Sequence, residues 1–90
     1  MKICLRCIVN GKVQGVFYRA STQGKARTSG VTGWVKNSDD GSVELLACGD
    51  QKNVNDLCDW LWEGPVHAKI TDVQCHKEAC SEFDGFSVIS

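Results

Sequence analysis

No stretch of this sequence stays apolar for the roughly 20 residues that a bilayer-spanning helix needs, so no membrane span is expected. Neither sign of charge dominates: 10 Lys and Arg stand against 11 Asp and Glu, for a formal net charge of −1. A chain balanced in this way has no global pull toward nucleic acid or anionic lipid, so any anion site must be built locally. The opening Met1-Lys2-Ile3-Cys4-Leu5-Arg6 breaks its apolar character too early for a secretory signal, and the expected location is cytoplasmic. Low-complexity tracts, repeats of useful period and linkers are also missing. What is there is ordinary for a soluble globular protein, with 42% hydrophobic and 23% charged residues. The 90 residues are expected to form one domain over 1–90 with a single core.

Six cysteines are the one excess. An even count in a short secreted chain suggests a disulfide framework, but without a secretion signal, and with a full set of apolar residues, reduced and mostly structural thiols are expected. Cys4 and Cys7 have the C-x-x-C spacing of metal and redox sites. If they lie on a strand, however, an offset of three puts their sulfurs on opposite faces. Cys75, His76 and Cys80 form too loose a cluster to count as a site. No carboxylate pair has metal-ligand spacing, so neither a metal nor a cofactor is expected.

The first strand is read over 2–10, where Ile3, Leu5, Cys7 and Val9 alternate in period two. A helix is read over 18–29 despite the poor helix formers Ser21, Thr22, Gly24, Thr28 and Ser29, with Gly30 as its stop. Strands over 31–37 and 42–48 flank the turn Ser38-Asp39-Asp40-Gly41. A second helix is capped by Asp50 and ended by Gly64-Pro65, with Val54, Leu57, Cys58 and Leu61 on one face. Trp60 and Trp62 belong to a partly exposed edge of the core. A fourth strand over 68–76 holds Ile70 and Val73 out of period, which predicts a bulge. A short strand, Phe86 to Ile89, ends the chain. The order β-α-β-β-α-β plus a terminal strand predicts an α+β, ferredoxin-like split βαβ sandwich: an antiparallel sheet with both helices on one face.

Function is concentrated in Gly11-Lys12-Val13-Gln14-Gly15-Val16-Phe17-Tyr18-Arg19. Its two glycines permit backbone conformations that turn successive N–H groups inward onto an anion. A helix beginning nearby adds its free N–H groups and positive dipole end. Arg19 then offers a planar fork that matches two phosphate oxygens. A Walker loop is excluded, because Ala26 follows Gly24-Lys25 where a hydroxyl is needed.

The run Val13-Gln14-Gly15-Val16-Phe17-Tyr18-Arg19 resembles the signature loop of the acylphosphatases, with Tyr18 in place of the usual Phe. A second block, Gly30-Val31-Thr32-Gly33-Trp34-Val35-Lys36-Asn37, resembles the family's Gly-x-x-Gly-Trp/Tyr-Val-x-Asn strand, and Gly41-Ser42-Val43-Glu44 follows as it does there. The tail Phe86-Ser87-Val88-Ile89 extends the resemblance over nearly the whole chain. The resemblance implies hydrolysis of an acyl phosphate to carboxylate and inorganic phosphate. It also implies a cradle of backbone N–H groups at Gly15, Val16, Phe17, Tyr18 and Arg19, with Arg19 as the phosphate-binding side chain. Asn37 is implied to position the attacking water. Phosphate or sulfate is the product-like ligand, and no nucleic acid, membrane or obligate subunit is expected: the chain is read as a monomer.

The chemistry is consistent with those residue types. Phosphoryl transfer needs chiefly positioning and stabilisation of charge on the phosphoryl oxygens. The carboxylate leaves without a proton at neutral pH, so neither block needs a His, Asp or Glu. His67 and His76, on the fourth strand, are expected to face solvent. Two other functional classes share these features. An anion-binding module of the same fold would keep the loop without turnover. An RNA-recognition module would need aromatics on the central strands, which neither Ile3–Val9 nor Ser42–Cys48 supplies.

Overall fold

The computed structural model describes residues 1–13, 16–66 and 68–89. Strand β1 (Lys2–Lys12) leads into helix α1 (Val16–Thr28), then β2 (Thr32–Asn37), β3 (Val43–Asp50), α2 (Gln51–Glu63), β4 (Lys69–Glu78) and β5 (Phe86–Ile89). The sheet order is β4-β1-β3-β2-β5. The first four of these strands pair antiparallel as expected, whereas β5 joins β2 in parallel and makes that edge mixed. The chain reaches Phe86 after crossing from the opposite edge strand β4, so it enters β5 running the same way as β2.

Strand parity sorts the sheet into two faces. Cys7, Val9, Val35, Val43, Leu45 and Ala47 point to one, where they pack with Tyr18 and Ala26 of α1 and Val54, Leu57 and Leu61 of α2. Both helices therefore cover the same face. The other face carries a smaller cluster of Cys4, Leu46 and Cys48, flanked by Trp34 and Phe83. Beside it Arg6 sits 3.0 Å from Glu44 and 3.1 Å from Glu78, and Lys36 lies 3.7 Å from Glu44. Partly exposed pairs of this kind contribute little stability.

Helix α1 forms against its own propensity because its buried positions recur every four residues. Tyr18, Thr22 and Ala26 are all nearly inaccessible, and the Thr22 hydroxyl donates to the Tyr18 carbonyl at 2.8 Å. Gly30, at φ 72°, ends the helix with the paired bonds Gly30 N–H to Arg27 O and Val31 N–H to Ala26 O. Helix α2 begins where Asp50 accepts from the Lys52 N–H at 3.2 Å, and Val54, Leu57 and Leu61 form its buried stripe. Trp60 is half-buried against the core, while Trp62 is mostly exposed.

The predicted bulge is present. Asn10 pairs with Asp72 but Gly11 pairs with Ile70, which leaves Thr71 as the extra residue and lets Ile70 and Val73 share the core side.

Gly33, at φ 136°, faces the Leu46 carbonyl so closely that a Cβ would overlap its oxygen. Gly33→Ala should therefore cost about 2–3 kcal/mol, read as a lower midpoint in urea with unchanged m-value. An unchanged midpoint would show that β2 shifts freely at this point.

The cysteines depart from expectation. Cys4 is disulfide-bonded to Cys48 and Cys7 to Cys75, and only Cys58 and Cys80 are free. The cause is register: each pair sits directly opposite across an antiparallel ladder, at a Cα separation of 4.1 Å. Periodicity along one strand carries no information about that pairing. The prediction that Cys4 and Cys7 lie on opposite faces holds, since they belong to different clusters.

Candidate active site

Val43, the first residue of β3, pairs with Val9 of β1 on one side and Asn37 of β2 on the other. The ends of β1 and β2 therefore lie at the same end of the sheet, and the chain leaves β1 there to enter α1. Gly33 and Val35 are buried on the helix-covered face, and Asn37, two residues further along, faces the same way. Helix α1 packs against β2 on that face. Topology thus directs both sequence blocks, far apart in the chain, toward one corner of the molecule.

Helix α1 begins at Val16, two residues earlier than the sequence suggested, so Val16, Phe17, Tyr18 and Arg19 form its first turn. N–H groups in a first turn have no acceptor within the helix. No acidic residue stands in this turn to neutralise the positive end of the dipole. Gln14 and Gly15 lie outside the described residues, so the Gly15 part of the expected cradle has no structural description.

Burial adds a more selective observation. Among the described residues, the Arg19 Nε and the Asn37 Oδ1 are the side-chain polar atoms that are buried without a hydrogen-bond partner. Leaving such a group unsatisfied costs about 1–3 kcal/mol. An asparagine before a turn would ordinarily bond its own backbone. Here Asp40 does that work instead, accepting from the Ser42 N–H at 3.0 Å and the Ser42 hydroxyl at 2.6 Å. These bonds from Ser42, the side-chain bond first, hold the Asp40 carboxyl below its ordinary range. The turn is therefore closed without Asn37.

Tyr18 anchors the first turn of α1. Its ring is 2% exposed and its hydroxyl donates to the Leu61 carbonyl at 3.0 Å, which gives a partner to a last-turn carbonyl of α2. Burial pushes the phenol well above its usual value, so it remains a donor throughout the working pH range. Tyr18→Phe should cost about 1–2 kcal/mol by stranding that carbonyl, a fall in Tm of roughly 4–8 °C for each kcal/mol in a domain of this size. Thermal unfolding followed by circular dichroism tests this, and an unaltered Tm would mean that water replaces the phenol.

Other candidates separate from this corner. Among the described residues no helix is long and apolar enough to cross a membrane. Arg6 and Lys36 are already matched by carboxylates on the uncovered face. His76 is exposed as expected, and His67 lies outside the described residues. Cys58 is a poor nucleophile at neutral pH, since burial, and then the Asp59 carboxylate, push its thiol up to about 11. Sequence reasoning missed the Tyr18–Leu61 contact and the meeting of Cys7, Cys58 and Cys75. Both join distant segments and leave no local signal beyond a polar atom on a buried side chain.

The sequence matches the acylphosphatase family over residues 5–88. It is 47% identical over 88 residues to an acylphosphatase of Nitrosococcus oceani, covering 98% of this chain and 99% of the relative. The structure superposes on that of an acylphosphatase from Coxiella burnetii with a TM-score of 0.94 at 42% identity, covering 98% of this chain and 93% of that one. An acylphosphatase from Bacillus subtilis gives a TM-score of 0.93 at 34% identity over the full length of both chains.

Proposed function

Because the chain belongs to the acylphosphatase family, we propose that residues 1–90 act as one domain hydrolysing the carboxyl–phosphate anhydride of acyl phosphates at the corner between α1 and the end of β2. The products are a carboxylate and inorganic phosphate. In this reading the N–H groups from Gly15 to Arg19 and the Arg19 guanidinium hold the phosphoryl oxygens. The Asn37 amide orients the attacking water in line with the bond that breaks. The guanidinium and the fixed N–H groups meet charge as it spreads over the phosphoryl oxygens, without reorganising during the reaction. The carboxylate departs unprotonated, so no general acid is needed, and the reaction is proposed to run without metal or cofactor.

The observation that carries the proposal is the coincidence of two independent selections. The motif resemblance implies roles for Arg19 and Asn37, and among the described residues their side chains are also the ones with buried, unpartnered polar atoms. A phosphoryl group would accept from the Arg19 Nε, and a water would donate to the Asn37 Oδ1. The protein is proposed to act as a cytoplasmic monomer, with phosphate or sulfate binding as product-like ligands and no nucleic acid involved.

Phosphate release from benzoyl phosphate, followed with EDTA present, tests the activity. A rate well above the spontaneous hydrolysis, unchanged by the chelator, is expected. A rate equal to background, with phosphate still bound, would make the chain an anion-binding module. Loss of the rate on chelation would overturn metal independence alone.

A further inference from the structure

A second constellation lies in the core, on β1, β4 and α2. Cys7 of β1 and Cys75 of β4 face each other in register, and Cys58 of α2 stands over both, its Sγ 3.6 Å from that of Cys7 and 3.8 Å from that of Cys75. The three sulfurs lie within 4.8 Å of one another, and no histidine or carboxylate among the described residues joins them. Cys7 is fully buried, whereas Cys58 and Cys75 are half-buried, Cys75 on the edge strand of the sheet. The proposed anion site uses none of these atoms.

We propose that, once the Cys7–Cys75 disulfide is reduced, Cys7, Cys58 and Cys75 form a three-sulfur site for one copper(I) ion. Soft thiolate ligands select soft cations. A structural zinc site takes four protein ligands, and a catalytic one completes its shell with water. Among the described residues no fourth ligand stands with these three sulfurs, so a zinc ion would need a water to complete its shell. Copper(I) is satisfied by two or three sulfurs and requires no such water. With metal–sulfur bonds of about 2.3 Å, sulfurs of a trigonal site stand about 4 Å apart, close to the spacings that Cys58 already makes. Only Cys7 and Cys75 must part, and the side chain of Cys75 can rotate toward the sheet edge.

The electron balance is simple. A dithiol reductant supplies two electrons and two protons to Cys7–Cys75 and leaves as its own disulfide. Binding then releases the protons of the coordinating thiols to solvent, and copper remains copper(I) throughout. The Cys7–Cys75 disulfide and the metal site are therefore alternatives, since both need the sulfurs of Cys7 and Cys75.

The full chain is reduced with a dithiol under nitrogen, freed of reductant and titrated with copper(I) against bicinchoninate. One copper per chain is expected to leave the chelator, with only sulfur neighbours in X-ray absorption. Cys58→Ser and Cys75→Ser should each weaken binding at least tenfold, while Cys48→Ser and Cys80→Ser leave it unchanged. Should a serine variant fail to fold, alkylation of the wild-type protein decides. Copper should then shield the half-buried Cys58 and Cys75 from iodoacetamide and leave Cys80 reactive. The proposal is overturned if the dithiol cannot open Cys7–Cys75, if no copper leaves the chelator, or if binding and shielding follow Cys4, Cys48 or Cys80 instead.

Discussion

Arg19→Ala is expected to lower kcat/KM for benzoyl phosphate by about a thousandfold and to abolish competitive inhibition by inorganic phosphate. The magnitude follows from what is removed. Losing a single preorganised donor to a developing oxyanion costs about 10²–10³ in rate, and an arginine on a transferring phosphoryl group is worth about 10³–10⁵. A thousandfold corresponds to about 4 kcal/mol of transition-state stabilisation. Stability should change little. The Arg19 Nε is buried with no partner among the described residues, so truncation removes an unsatisfied donor along with a packed stem. A Tm within a few degrees of wild type is expected, in keeping with sites that sacrifice stability for activity. Arg19→Lys keeps the charge but loses the planar fork, and it should recover little of the lost rate. Retained phosphate inhibition in Arg19→Ala would mean that the N–H groups alone hold the anion.

Asn37→Ala is expected to separate turnover from binding. With the Oδ1 gone, the attacking water loses its orientation, and misplacement on the scale of 1 Å costs about 10²-fold. A fall in kcat of about a hundredfold or more is expected, while the phosphate inhibition constant stays within about threefold of wild type. The turn beside Asn37 should survive, because Asp40 and Ser42 close it between themselves. Should phosphate affinity fall in parallel with kcat, Asn37 would be a binding group, and the division of roles between it and Arg19 would be wrong.

Much of the architecture was legible because it is written locally. Alternation in Ile3, Leu5, Cys7 and Val9, the stripe Val54-Leu57-Leu61, the Asp50 cap and the Gly30 stop all lie within a few residues, and apart from the start of α1 each element appears close to where its pattern places it. The out-of-period Ile70 and Val73 even marked the bulge at Thr71. The sequence misjudged events that join distant strands. The parallel entry of β5 depends on the path between opposite sheet edges, and the partners Cys48 and Cys75 depend on registers set across the sheet. The start of α1 at Val16 was also misplaced, because poor intrinsic propensity is overridden by Tyr18, Thr22 and Ala26 packing on the core.

The amino-acid sequence by itself determined the residue types of the proposed anion site and the resemblance to the family, since two short motifs name a guanidinium, an amide and a run of backbone N–H groups without reference to anything distant. Only the tertiary structure decided that Asn37 is released from its own turn, that Tyr18 ties α1 to the end of α2, and that Cys58 stands over Cys7 and Cys75. The physical reason is range. Propensity, capping and turn chemistry act over a few bonds and can be read along the chain, whereas burial and register are fixed only when separate elements meet and exclude water between them.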